Sequence, residues 1–135
     1  MFYDYAIKIP KGTKEDAPVE EEFNLTHGII HRVEVEFYPG PRRYVWVKIF
    51  HHEHQLWPTN LDGSFQTDAY TIAFDEYEEL LEAPYNLLVR GYSPEADYDH
   101  VVTVRIGILE SKTVILLLNA LKGLMKLSKL MGIKV

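Results

Sequence analysis

From Tyr3 to about Leu109 apolar and polar residues alternate with a period of two, the signature of β-strands that bury one face and wet the other. In Ile29–Phe37 the residues Ile29, Val33, Val35 and Phe37 share one side with His31, while Arg32, Glu34 and Glu36 share the other with Ile30. Further strands are predicted over residues 3–9, 19–25, 44–54, 64–74, 85–92 and 100–109. In residues 44–54, Val45, Val47 and Ile49 should face inward; in the last strand Val102, Val104, Ile106 and Ile108 alternate with Thr103 and Arg105. The separators carry turn chemistry: Lys11-Gly12-Thr13, Pro39-Gly40-Pro41, Pro58 to Gly63 and Ser93 to Asp97. The acidic stretch Asp75 to Glu82 reads as a loop, although Phe74, Tyr77, Leu80 and Leu81 also fit one helical turn.

At Ser111 the period changes. Ser111 is suited to cap a helix that runs to about Met131. At 3.6 residues per turn, Val114, Leu116, Leu117, Leu118, Ala120, Leu121, Leu124, Met125, Leu127 and Met131 cover more than half of its circumference, and Asn119, Lys122, Lys126 and Lys129 gather on the rest. The whole predicts an all-β domain at 1–110, an antiparallel β-sandwich of jelly-roll-like type with seven or eight strands. A C-terminal amphipathic α-helix follows at 111–135 as an oligomerisation or docking element. A chain of 135 residues has room for one such domain and its core.

A helix lying on the outside of a sandwich needs an apolar stripe about 100° wide, and this one offers roughly twice that. Three readings account for the surplus. The helix packs against copies of the chain in a symmetric assembly, through Leu117, Leu118, Leu121, Leu124 and Met125, with Lys122, Lys126 and Lys129 meeting an acidic neighbour. Alternatively it lies on a membrane with its lysines toward the headgroups, although no aromatic anchor is present. In the third reading it folds wholly onto its own sandwich. The first is preferred here.

Charge sharpens that preference. Residues 1–110 hold all 20 acids against nine Lys and Arg, a net −11; residues 111–135 hold five lysines and no acid, a net +5, together making the overall −6. An acidic body repels phosphate, so direct nucleic-acid binding is not expected. The absence of cysteine removes disulfides, thiolate metal sites and a cysteine nucleophile. The first residues lack the basic and apolar regions of a secretory leader, so the expected location is a virion or the cytoplasm.

Candidate chemistry is sparse. His51-His52-Glu53-His54, read as strand, would point His52 and His54 the same way toward a shared metal ion, with His31 or His100 as a third ligand. Solvated histidines at a strand end are the preferred reading, so no metal and no cofactor are expected. Asp75, Glu76, Glu78, Glu79 and Glu82 match neither a calcium loop nor a catalytic pair, and no serine sits in a nucleophile elbow. No enzyme is expected. Trp46, Trp57 and nine tyrosines raise one alternative, a carbohydrate-binding module with Trp46 and Trp57 as stacking rings.

Gly28–Phe37 (GIIHRVEVEF), Ile49–Asn60 (IFHHEHQLWPTN), Tyr70–Phe74 (YTIAF) and Tyr98-Asp99-His100 together resemble small jelly-roll structural proteins of tailed phages and related particles, over residues 28–109. The resemblance implies a non-enzymatic virion or shell component of capsid, decoration or connector type, homo-oligomeric and in contact with other virion proteins. It assigns no active site, and the lysine-rich helix lies outside the matching portion.

Overall fold

The computed structural model describes residues 1–132, apart from the side chains of Ser111 and Thr113. Eight strands are followed by one helix: β1 (Phe2–Ile9), β2 (Val19–Asn24), β3 (Gly28–Phe37), β4 (Trp46–His51), β5 (His54–Trp57), β6 (Tyr70–Leu80), β7 (Asn86–Tyr92), β8 (His100–Glu110) and α1 (Ser111–Leu130). Residues 133–135, the end of the expected docking element, lie outside the described residues.

The strands form two four-stranded antiparallel sheets, ordered β1-β8-β3-β6 and β2-β7-β4-β5. From β1 to β4 the chain passes from sheet to sheet at every step, and it does so again from β6 to β8. This is the wrapped strand order of a jelly roll. One apolar cluster fills the space between the sheets, drawing Ile7 and Ile9 from β1, Phe23 from β2, Val47 and Ile49 from β4, Leu87 and Val89 from β7, and Val102, Val104, Ile106 and Ile108 from β8. From Val102 to Ile108 every second residue of β8 enters that core, as its alternation demands.

Three local features depart from the simple alternation. On β3 the register slips between Ile30 and Arg32, with His31 as the additional residue against β8. A bulge of this kind turns the following side chains to the opposite face. Ile30 therefore joins Val33, Val35 and Phe37 in the core cluster, while Ile29 is buried outside that cluster, at the end of β3 where α1 adjoins the sheet.

The expected strand at 44–54 is instead a hairpin of β4 and β5. His52 and Glu53 form its two-residue turn with φ of 50° and 62°, the left-handed pair that a tight hairpin needs. The acidic stretch from Asp75 is not a loop either. It continues β6 to Leu80 as a free edge of the first sheet, and the expected strand start at Ser64 is reduced to a single bridge between Phe65 and Val47. Carboxylates along an edge strand deter pairing with another chain, so their presence there has a physical use.

A loop at residues 58–63 is held from inside: the buried Gln55 amide donates to the carbonyls of Pro58 (2.7 Å), Asn60 (3.2 Å) and Gly63 (3.4 Å).

Candidate assembly surface

The sandwich settles most of its own surface chemistry. Across the outer face of the first sheet runs a row of alternating charges that touches all four strands. Arg105 of β8 bonds Asp4 of β1 at 3.2 Å and Glu36 of β3 at 2.9 Å; Arg32 of β3 reaches Glu34 at 3.4 Å and Asp75 of β6 at 3.0 Å. The bonds to Glu36 and Asp75 raise Arg105 and Arg32 above the ordinary guanidinium value. On the second sheet Arg90 bonds Glu20 at 3.0 Å while its guanidinium lies 4.4 Å from the Phe50 ring centre.

The helix is different. β8 ends at Glu110 and α1 begins at the next residue, so helix and sheet are joined with no intervening loop. Ser111 is the first helical residue rather than its cap. Glu110 holds the N-cap position in extended conformation (φ −62°, ψ 128°) and makes no side-chain capping bond. At the other end the N–H of Gly132, with φ of 76°, bonds the carbonyl of Lys129, a left-handed helix stop that suits glycine.

Among the described residues α1 adjoins β3 and β8 alone, and a cleft of about 500 Å³ lined by Met1, Thr26, His27, Glu110 and Lys112 lies at its foot. Beyond Val114 the apolar side chains stand in solvent, from Leu118 at 38% exposed to Leu130 at 86%. Leu117, Leu121, Leu124 and Met125 are all exposed, and so are Lys122, Lys126 and Lys129. Leu116, Leu127 and Leu130, absent from the contact set expected from sequence, are equally bare; their signal is the same apolar spacing. The reading in which the helix folds wholly onto its own sandwich fails: among the described residues no helical one joins the core cluster, and the leucines of α1 are exposed. No helix among the described residues is long and apolar enough to cross a membrane.

The other expected sites disperse. Trp57 is only 4% exposed, packs edge-on against Phe74 and donates its indole N–H to Glu76 at 3.0 Å, so neither ring face can stack on a sugar. Trp46 is half-buried with one face stacked on Tyr92, ring centres 5.5 Å apart. The exposed rings of Tyr44 and Tyr98, with Arg42 and His100, border an open cleft of about 310 Å³.

His52 and His54 do not share a strand face, because His52 lies in the hairpin turn and His54 starts β5. His52 instead meets His51 edge-on, at 3.9 Å between ring centres. Among the described residues no three His, Asp or Glu side chains are placed to hold a metal ion. Glu76 and Glu78 of β6 border a cleft with Leu56 and Trp57 of β5 and with Leu61. Desolvation and the neighbouring Glu76 raise the Glu78 carboxyl above its usual range, against the opposing pull of His51 and His54.

No protein-family profile matches the chain, and no curated protein matches it. Among solved structures it is similar to the crystal structure of FLHE, at 9% identity and a TM-score of 0.40, covering 78% of this chain and 94% of that one. It is also similar to a structure from a study of Bacillus endospore appendages described as disulfide-linked pili, at 8% identity and a TM-score of 0.36, covering 81% and 88%. At such identities and TM-scores the likeness assigns neither family nor role, and this sequence has no cysteine with which to form a disulfide.

Proposed function

We propose that this chain is a non-enzymatic structural protein that assembles with copies of itself through α1, as a subunit of a virion or a comparable shell. One observation carries the reading: a sandwich with a complete core bears a 20-residue helix whose leucines and methionines stand in solvent. Burying each such side chain is worth about 1.5–3 kcal/mol, so a partner that covers several of them gains much of a domain's total stability. Monomeric proteins rarely display a continuous apolar surface of this size. The jelly-roll strand order agrees with the fold implied by the resemblance to tailed-phage proteins, and it supports the virion reading to that extent.

The experiment is sedimentation equilibrium of the full chain beside a triple variant, Leu117→Glu with Leu121→Glu and Leu124→Glu. The reading expects a defined oligomer that becomes a folded monomer in the variant. A parent chain that stays monomeric at high micromolar concentration defeats it.

A further inference from the structure

The spacing of apolar residues on α1 constrains the geometry of its partners, provided that the assembly reading above holds. Two rows each repeat at intervals of three and four. Val114, Leu117, Leu121, Leu124, Ser128 and Met131 form one; Leu116, Ala120, Gly123, Leu127 and Leu130 form the other. The polar residues Lys112, Asn119, Lys122, Lys126 and Lys129 take the two heptad positions left between the rows, joined there by Ile115 alone, while Leu118 and Met125 flank the first row.

A two-helix coil buries one row and would leave the other wet. The second row is the first displaced by one residue, so the two seams point about 100° apart around the helix. In a closed ring each helix touches two neighbours, whose directions differ by about 60° in a ring of three, about 90° in a ring of four and about 108° in a ring of five. The observed offset fits four or five.

We infer that α1 packs with the α1 helices of three or four further copies of this chain into a parallel bundle. The lysines lie outside the bundle and both apolar seams lie between neighbours. The exposed leucines of the two rows, with Met131 at their end, amount to roughly 800 Å², about what one partner contributes to a standard interface and here divided between two neighbours. Gly123 fits the same picture. Glycine is unfavourable in a helix interior, and a Cβ there would meet nothing within 4 Å, so nothing inside this chain calls for it. Together with Ala120 in the second row it lets a neighbouring helix approach closely at mid-height. The acidic body, −11 over residues 1–110, is repelled by anionic lipid, which disfavours a membrane as the cover.

The test is native mass spectrometry of the full chain with three variants. The parent should be a tetramer or pentamer. Leu116→Glu with Leu127→Glu, confined to the second row, should lower the stoichiometry to dimer or monomer, while Ile115→Gln with Asn119→Gln on the outer face should leave it unchanged. Met131→Cys, in a sequence that has no other cysteine, should form an intermolecular disulfide on mild oxidation, because parallel helices bring equal heights together. Circular dichroism checks that the sandwich, whose core holds no α1 residue, remains folded in each. A dimer or trimer, indifference to the second-row variant, or no disulfide through Met131→Cys overturns the bundle and leaves the assembly reading standing. A monomeric parent, with or without binding to phosphatidylglycerol vesicles, overturns both.

Discussion

Gly91 offers a test of the sandwich that depends on a single hydrogen atom. It sits on β7 between Val19 of β2 and Val47 of β4, and its missing side chain leaves space for Ile9, which reaches across from β1 in the facing sheet. A Cβ at this position would collide with Ile9 Cδ1 and lie 2.8 Å from Cγ1. Ile9 is fully buried in the core. Gly91→Ala should therefore lower stability by about 1–3 kcal/mol, the usual cost of overpacking a close-packed interior. In a domain of this size that corresponds to roughly 4 °C of Tm per kcal/mol. Ile9→Val removes the Cδ1 methyl and alone should cost about 0.5–1.5 kcal/mol. In the double variant the two changes relieve each other, with a coupling of about 1 kcal/mol. Urea denaturation of the four proteins reads all of these values. A Gly91→Ala protein as stable as its parent, or additive losses in the double variant, would refute the packing of β1 over β7.

Named contacts carry three further expected outcomes. Replacing the β4–β5 turn residues by His52→Asn with Glu53→Gly supplies the pair that tolerates left-handed φ and should raise stability by about 0.5–1 kcal/mol in thermal denaturation; a loss would contradict the turn geometry. Trp57→Phe deprives Glu76 of its indole donor and should cost about 1–2 kcal/mol in urea; in the parent, iodide should quench the fluorescence of half-buried Trp46 far more than that of Trp57. Glu78, whose carboxyl holds its proton more tightly in the folded chain than in the unfolded one, lowers stability as pH rises from its unfolded value through the raised folded one. Glu78→Gln should accordingly raise Tm at pH 7 and leave it near the parent's at pH 4, and an equal shift at both would count against the desolvation.

The sequence discloses those parts of the fold where alternation runs unbroken. β8 shows this best: Val102, Val104, Ile106 and Ile108 all enter the core because no extra residue disturbs their phase. β3 starts out of phase since a bulge has no signature residue, and His31 is as acceptable in a regular strand as beside one. The His52-Glu53 turn is silent in the sequence for a related reason: it lacks the glycine or asparagine that usually marks left-handed backbone. The carboxylates of β6 argue for a loop because acidic residues are poor strand formers, yet on an edge they are tolerated and useful. Trp57 reads as a sugar platform only while its partner is unknown, and that partner, Glu76, lies on another strand in the other sheet. The helix surface is legible from spacing alone, since an apolar arc that wide cannot be satisfied by one contact.

The absence of a loop between β8 and α1 has a mechanical consequence. β8 is an inner strand, laddered to β1 on one side and β3 on the other. Tension applied along the helix enters that strand lengthwise, so both ladders bear it in shear, with many hydrogen bonds loaded at once instead of being opened one by one. A pull on such a stalk would be taken up by an inner strand of the first sheet rather than by its edge.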